Sequence, residues 1–361
     1  MKMGFFIVLG IALLANVYVL WHVYQVLPLP TWGKWTVVAL MTASLVMMFT
    51  GIMGTFDRMP LWMASATYDI STSWLIVFLY LLLAFVLLDL GRLVHIVPKM
   101  WLHDNAWTAG AITAVVAGLL IYGNLHYHNK VREPLELTTA KQLTKPVKVV
   151  MLSDLHLGYH NRRAELARWV DIINAEKPDL VLIGGDIVDM SLRPVVEGRY
   201  AEEFRRLQAP IYTVLGNHEY YSNEPQAERF FRDAGIILLK DSVAHYKGID
   251  IVGRDDRTET RRAAVKDLAK GLQGFTILLD HQPYHLEEAE QAGIDFQFSG
   301  HTHRGQVWPA SWVTDAVYEK SWGHHQRGHT RYYVSSGLGI WGPKIRVGTR
   351  SEYLVLHIKK K

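Results

Sequence analysis

The residues best suited to carry out chemistry are aspartate, histidine and asparagine side chains between positions 154 and 303. These residue types supply the oxygen and imidazole ligands of divalent cations. The set is large enough for two adjacent cations with one histidine to spare, and such a pair suits in-line displacement at phosphorus. In chain order the residues form the groups Asp154-x-His156, Gly185-Asp186-x-x-Asp189, Gly216-Asn217-His218-Glu219, His281 and Gly300-His301-x-His303.

The elements that must position these groups are predicted as short buried strands. Each group follows an apolar run, and stretches with helical spacing lie between several of the runs, which indicates α/β layers. The ends of such strands can meet at one edge of a sheet, where sites form. Glycines directly before the ligands let the chain turn tightly and approach an ion closely. The predicted strands cover residues 147–152, 179–183, 210–215, 275–279 and 295–298, and further strands cover 332–334 and 353–358.

Any one of these groups is weak evidence by itself. A buried histidine is often satisfied by ordinary hydrogen bonds, and an aspartate at a strand end often caps a turn or a helix. Five groups at five strand ends in one domain instead predict a metal site. We expect Asp189 to lie behind the ligands, and Glu219 either to orient His218 or to face solvent.

Basic and aromatic residues near this predicted cleft leave several interpretations open. Cations in its loops would suit a phosphorylated substrate, although solvation at the surface is the default for each. The segment 308–330 is rich in tryptophan and histidine and has three interpretations. It is a lip that enters the membrane interface, an extra metal site at His324 and His325, or a loop packed on the domain. The predicted rim cations are Arg162, Arg163, Lys344 and Arg346, and Arg304 is expected to contact a phosphate or solvent.

The first 128 residues have a different character from the rest of the chain. They carry nine of the 72 charged side chains, which predicts a membrane domain followed by a linker at 129–146 and a soluble domain at 147–361. Four transmembrane helices are predicted, because four apolar stretches approach the length of about 20 residues that a span needs. The stretches cover residues 4–27, 35–54, 74–90 and 106–125.

The flanking charges bear on the orientation of these helices. Four spans place both ends on one side, and Lys2, Arg58, Lys130 and Arg132 exceed the cations of the opposite loops. This predicts a multi-pass protein of a bacterial inner or cell membrane with a cytoplasmic catalytic domain. Within the helices, Asp89 and Arg92 are expected to form an ion pair.

The overall composition excludes some classes of protein. The formal net charge of +4 is too small for a dedicated nucleic-acid binder, so no nucleic-acid partner is expected. The chain has no cysteine, which rules out disulfides and thiolate metal sites.

The ligand series resembles that of the calcineurin-like metallophosphoesterase superfamily over about residues 147–358. The tail 333–339, Tyr-Val-Ser-Ser-Gly-Leu-Gly, followed by Pro343 and Arg346, is similar to the membrane-associated bacterial branch with the YkuE- and YaeI-like phosphodiesterases and the UDP-diacylglucosamine pyrophosphatases. The resemblance implies an αββα sandwich of four layers, with two sheets flanked by helices. The expected architecture is thus a transmembrane four-helix bundle followed by this α/β domain.

The resemblance also implies a role for each residue of the series. Asp154, His156, Asp186 and His303 would hold a first metal. Asp186, Asn217, His281 and His301 would hold a second, so that Asp186 bridges the two. Mixed nitrogen and oxygen ligands suit Mn, Fe, Zn or Mg, and the many histidines favour Mn or Zn. His218 would be the catalytic general acid.

The function expected from these features is a membrane-anchored, binuclear-metal phosphohydrolase. It would cleave a phosphodiester or pyrophosphate bond in a phosphorylated small molecule, a lipid or a nucleotide-linked lipid. Two other interpretations stay open. One is a nuclease or cyclic-nucleotide phosphodiesterase, and the other is a membrane sensor that keeps the domain without catalysis.

Overall fold

Long apolar helices form the N-terminal part of the chain. The computed structural model describes residues 2–361, with side chains from residue 10 onward. Within the described residues, α2, α3 and α4 are long and apolar enough to cross a membrane, whereas the part of α1 with described side chains is the shorter stretch Gly10–Val26. Three spans are therefore supported where four are predicted. The helices are α1 (Lys2–Val26), α2 (Thr31–Ile52), α3 (Leu61–Leu93) and α4 (Ala106–His128).

Asp89 of α3 contacts α1. Its Oδ2 lies 3.0 Å from His22 Nε2 and accepts a hydrogen bond of 2.8 Å from the Tyr18 hydroxyl. The prediction that Asp89 pairs with Arg92 overlooked these partners, because sequence spacing shows only neighbours on the same helix. The contact joins two helices through polar groups, as buried polar side chains do in membrane bundles.

The chain divides into two units, Met1–Gly123 and Asn124–Lys361. The second unit contains two six-stranded sheets. The first has the order β1 (Lys130–Thr139), β12 (Ser351–Lys360), β2 (Val147–Leu152), β3 (Leu180–Ile183), β4 (Ile211–Thr213) and β5 (Ile236–Leu238). The second has the order β10 (Gly323–Arg327), β11 (Thr330–Val334), β9 (Phe296–Ser299), β8 (Phe275–Leu279), β7 (Ile249–Gly253) and β6 (Ser242–Tyr246).

Alternation along the strands builds the layers. In β2, Val149 and Met151 belong to the core between the sheets, whereas Val150 and Leu152 belong to the core on the outer face. Successive side chains of a strand point to opposite faces, so a continuous apolar run buries both. The helices of the second unit are α5 (Arg163–Ala175), α6 (Arg193–Glu197), α7 (Ala201–Phe204), α8 (Asn217–Tyr221), α9 (Glu224–Ala234), α10 (Val265–Leu268), α11 (Glu287–Gln291) and α12 (Ala310–Val317).

Helices cover both outer faces of the sandwich. Trp169 of α5 and Phe231 of α9 are buried in the core that includes Val150 and Leu152. Val265 of α10 is buried with Leu278 of β8 in a separate core. The resulting order of layers is helices, sheet, sheet and helices, as the four-layer expectation requires.

Most of the segment predicted as a linker, 129–146, is part of the first sheet. Residues 130–139 form β1, which pairs in parallel with β12 along ten residues. Pro134 lies within β1, and proline is tolerated there because β1 is an edge strand. The prolines and charges that indicated a linker are thus features of a solvated sheet edge, and only one residue separates α4 from β1.

Candidate metal centre

The predicted ligands lie at the ends of five strands. β2, β3 and β4 of the first sheet precede Asp154, Asp186 and Asn217, and β8 and β9 of the second sheet precede His281 and His301. Within each sheet these strands run parallel, so their carboxyl ends share an edge. The two edges together present all seven predicted metal ligands.

Most of these ligands have an unusual backbone conformation. Five of the seven have positive φ angles: Asp154 at 56°, His156 at 43°, Asp186 at 52°, His301 at 71° and His303 at 47°. Residues other than glycine rarely adopt this left-handed region, and such strain clusters at functional sites. The sharp turns let each loop direct its side chain into the centre.

Glycine allows two loops to approach the ligands closely. A Cβ atom at Gly216 would lie 2.1 Å from Asp186 Oδ1, and one at Gly300 would lie 2.3 Å from Asp154 Oδ2. No larger residue fits at either position without moving a carboxylate. These glycines therefore let the loops approach the ligand carboxylates closely.

A first group of ligand atoms comes from Asp154, His156 and His303. His156 Nε2 lies 3.1 Å from His303 Nε2 and 3.8 Å from Asp154 Oδ1. His303 Nε2 lies 3.6 Å from Asp154 Oδ1. Asp186 Oδ2 is 3.7 Å from His156 Nε2, so this carboxylate borders the group as well.

A second group contains Asp186, His281 and His301, with Asn217 beside it. His281 Nε2 lies 3.1 Å from Asp186 Oδ2, and His301 Nδ1 lies 2.8 Å from Asn217 Oδ1. The same Asp186 oxygen faces the histidines of both groups, which makes Asp186 the link between them.

The geometry fits divalent cations. Ligands about 2.0–2.2 Å from a metal ion stand about 3.0–3.6 Å apart, which is close to the spacing in both groups. His281 Nδ1 donates to the Gly184 carbonyl at 2.7 Å, so Nε2 carries the lone pair of the neutral ring. That Nε2 makes no hydrogen bond despite its closeness to Asp186, as expected for an atom directed at an ion. Mixed oxygen and nitrogen donors without sulfur fit Mn, Fe, Zn or Mg.

Burial and neighbouring charges set the protonation of several ligands. Burial opposes ionisation of Asp154, but adjacent histidines, above all His303, outweigh it and lower the pKa of this carboxyl. Burial lowers the pKa of His303 to about 3 and that of His301 to about 4. These groups are therefore an ionised carboxylate and neutral imidazoles, which are the forms that bind metals.

His156 and His281 are surrounded by more negative charge. Burial by itself lowers the pKa of His156, but the nearby carboxylates of Asp154 and Asp189 outweigh it and raise the pKa to about 10. Burial likewise opposes protonation of His281, but Asp186 raises its pKa. A divalent cation must compete with these protons, so its affinity rises with pH.

Asp189 lies between two histidines. Its Oδ1 is 3.2 Å from His218 Nδ1 and 3.4 Å from His156 Nδ1. The ring of His218 meets the ring of His156 edge-on, with centroids 4.5 Å apart. A carboxylate at Nδ1 fixes the orientation of an imidazole and its Nε2. Asp189 therefore positions both rings, in accord with its predicted place behind the ligands.

Glu219 is buried rather than solvent-exposed, and its carboxylate joins two ligand loops. It accepts hydrogen bonds from the backbone N–H groups of Gly216 at 2.7 Å, Val188 at 3.0 Å and Asp186 at 3.1 Å. Burial, followed by the charge of Asp186, raises the pKa of Glu219 to about 7. A glutamate three residues after the N-cap Gly216 is the pattern of a capping box, which is the sequence signal for this role.

Three of the predicted rim cations are engaged elsewhere. Arg163 pairs with Glu202 and Glu203, and Lys344 pairs with Glu165. Arg346 is fully buried, where it donates to the carbonyl groups of His303 at 3.3 Å, Ser336 at 2.5 Å and Gly339 at 2.9 Å. Arg346 thus organises the loops behind the centre.

Arg304 contacts an aromatic ring, and the segment after it contains regular secondary structure. Arg304 stacks on Trp322, with Cζ 4.1 Å from the ring centroid. The segment 308–330 contains α12 and β10, and β10 pairs with β11. His324 and His325 lie near separate carboxylates, Glu133 at 3.4 Å and Glu319 at 3.2 Å. That separation argues against the extra metal site.

The last turn of α4, residues 124–128, contacts a ligand loop. The hydroxyl group of the buried Tyr127 donates to Asn161 Oδ1 at 2.7 Å. Asn161 Nδ2 in turn donates to the carbonyl groups of Leu155 at 2.9 Å and Ile340 at 3.2 Å. Leu155 lies between two predicted ligands, so this relay holds their backbone in place.

Comparison with known proteins places this centre in a family. Residues 147–305 match the family model of calcineurin-like phosphoesterases. A Campylobacter jejuni metallophosphoesterase is 31% identical over 257 residues, which are 68% of this chain and 68% of that protein. A Helicobacter pylori metallophosphoesterase is 31% identical over 61% of this chain, and the match spans 62% of its own length.

Other similarities extend beyond bacteria. A Danio rerio transmembrane protein with a metallophosphoesterase domain is 28% identical over 84% of this chain and 75% of its own length. The solved structure of a dimetal phosphatase from Danio rerio aligns with 55% of this chain and 88% of its own, at 11% identity and a TM-score of 0.37. Because the relatives include bacterial and animal proteins, the narrower bacterial branch stays a prediction. This chain belongs to the calcineurin-like phosphoesterase family.

Proposed function

We propose that this protein is a membrane-anchored phosphohydrolase that uses two divalent cations to cleave a phosphodiester or pyrophosphate bond. The observation that carries the proposal is the pair of adjacent ligand groups that share Asp186. A carboxylate has two oxygens and can border two cations, whereas each imidazole serves one. Membership of the family agrees with this chemistry.

The proposed ligands divide between the two cations. Asp154, His156, Asp186 and His303 hold the first, in agreement with their distances of 3.1–3.8 Å. Asp186, Asn217, His281 and His301 hold the second. When bound, such cations supply charge that activates water and stabilises the phosphoryl oxygens. Mn or Zn is favoured over Mg because four of the seven ligands are histidines.

His218 is the proposed general acid. Its Nδ1 faces the carboxylate of Asp189, so Nε2 is the atom that can carry a proton to the leaving oxygen. Its side chain is 12% exposed, while those of His156 and His281 are fully buried. His218 can therefore meet a substrate at the mouth of the centre.

The proposed substrate is a phosphorylated lipid or a phosphorylated small molecule. Support for a lipid comes from the membrane helices, in which we include α1 as a fourth span. Four spans would put Lys2 and Arg58 on the side of Lys130 and Arg132, which gives that side four cations against three in the opposite loops. That excess of cations favours a cytoplasmic domain in a bacterial cell membrane.

Hydrolysis of a generic aryl phosphodiester by the full chain, loaded with Mn²⁺ or Zn²⁺, tests this function. Asp186→Ala should abolish turnover because both ligand groups lose a member. Asp171→Ala is the matched control, since its side chain is 63% exposed and pairs with Arg206 at the surface. Full turnover by the Asp186 variant would refute the assignment, and no turnover by folded, metal-loaded wild type would favour a non-catalytic sensor.

A further inference from the structure

Helix α12 presents its apolar side chains outward. Trp312, Val313 and Val317 are 65%, 64% and 58% exposed, whereas the polar Ser311 is 8% exposed. A helix of a soluble domain normally does the reverse, with its apolar face on the core. Such an inverted face marks a surface that contacts something other than water.

The exposed side chains form one continuous patch. At about 100° per residue, Trp312, Val313, Ala316 and Val317 fall within one arc of the helix. Trp308 precedes the helix, is 44% exposed and packs edge-on against Trp312, with ring centroids 5.5 Å apart. These five residues are called the α12 patch below.

The α12 patch has a fixed position beside the metal centre. The Trp308 N–H donates to the Val347 carbonyl at 2.7 Å, and the Thr302 hydroxyl donates to the Ser321 carbonyl at 2.6 Å. These bonds fasten the segment on both sides of the helix. Thr302 lies between the predicted ligands His301 and His303, so its bond ties the residues after α12 to a ligand loop.

We infer that the α12 patch docks on the lipid bilayer, at the boundary between headgroups and acyl chains. Only Asn129 separates α4, a candidate span, from β1, so the domain that carries the patch begins where a candidate span ends. One residue reaches at most about 3.6 Å, which keeps the start of the domain at the end of α4. Tryptophan is enriched at this depth of a membrane.

The charges around the patch are compatible with lipid headgroups. The two nearest acidic side chains are engaged, because Asp315 accepts from the Ser321 hydroxyl and Glu319 pairs with Arg327 at 2.6 Å. Lys320 lies three residues after Val317 and offers a cation to headgroup phosphates. This docking goes beyond the proposed hydrolysis and does not depend on it.

The absence of cysteine allows a site-specific test in the full chain. The cysteine of the Val313→Cys protein is labelled with an environment-sensitive fluorophore. The labelled full chain is placed in phosphatidylcholine vesicles with and without nitroxide-labelled lipid. Val196→Cys on α6 is the matched control, since this valine is 61% exposed in the same domain. The readout requires no turnover, so failure of docking and failure of the proposed function are distinguishable.

Docking predicts a blue-shifted emission from the fluorophore at position 313. Nitroxide-labelled lipid should quench about half of its fluorescence or more, as expected for a face buried about 5–10 Å in the bilayer. Position 196 should show neither effect. Equal signals at the two positions would overturn the inference. Oxidation of the Val313→Cys protein to a disulfide dimer would assign the patch to a second copy, and a blue shift without lipid quenching would assign it to a protein partner.

Discussion

Tyr127→Phe tests whether the end of α4 supports a ligand loop. The Tyr127 hydroxyl and Asn161 are both buried, and the hydrogen bond between them is 2.7 Å long. The substitution removes one oxygen and changes the packing volume very little. Asn161 Oδ1 then loses its donor, while its amide group still holds the Leu155 carbonyl at 2.9 Å.

The expected cost follows from this geometry. A buried acceptor left without a donor costs about 1–3 kcal/mol, and the cavity contribution is small because the ring remains. For a domain of about 150–250 residues, each kcal/mol shifts Tm by about 2–4 °C, so the loss is about 2–12 °C. Metal affinity should fall by less than about tenfold, because Tyr127 acts through Asn161 and touches no ligand.

Thermal unfolding of the full chain in lipid nanodiscs measures this effect. Tyr221→Phe is the control, since Tyr221 is 60% exposed and its variant should melt within about 1 °C of wild type. Asn161→Ala should cost more than Tyr127→Phe, because two carbonyl groups also lose their donor. A Tyr127→Phe protein that melts with wild type would refute the reasoning.

Three further outcomes are expected. Asp189→Asn should weaken Mn²⁺ binding by about 10–100-fold and lower turnover by about 10²–10⁴-fold, because two histidines lose the carboxylate that orients them. Calorimetry measures the affinity and initial rates measure the turnover. An unchanged affinity would contradict the positioning role of Asp189. Arg346→Lys should lower the free energy of unfolding by about 2–6 kcal/mol, since an ammonium cannot reproduce the hydrogen bonds of the planar guanidinium to four carbonyl groups. In thermal unfolding the exposed Arg331→Lys should change little, and equal shifts in the two variants would count against the buried network. Chelation should lower Tm by about 5–11 °C if the metal is present at about 100 times its Kd; a Tm of wild type unaffected by chelator would contradict metal binding.

The ligand set was accessible to sequence reasoning because strand ends and short polar motifs are local signals. Apolar runs located β2, β3 and β8, and each ligand follows its strand within a few residues. Parallel pairing then brings the strand ends to shared edges. The glycines before Asp186 and His301 are also local signals, because they indicate places where the backbone approaches its neighbours too closely for a side chain.

Features that depend on tertiary partners were less accessible. Arg346 and Glu219 resemble surface residues in sequence, yet each is buried by carbonyl or N–H groups contributed from other loops. The sequence of β1 indicates a linker because the partner strand β12 lies more than 200 residues away. The outward face of α12 contradicts the usual rule for amphipathic helices, which gives the apolar face to the core.

Anomalous diffraction from crystals of the Mn²⁺-loaded protein tests the central claim most directly. Two peaks are predicted, both bordered by the carboxylate of Asp186, with ligand distances of about 2.0–2.3 Å. The first peak should also contact His156 and His303, and the second His281 and His301. A single peak, or two peaks that do not share Asp186, would contradict the binuclear centre.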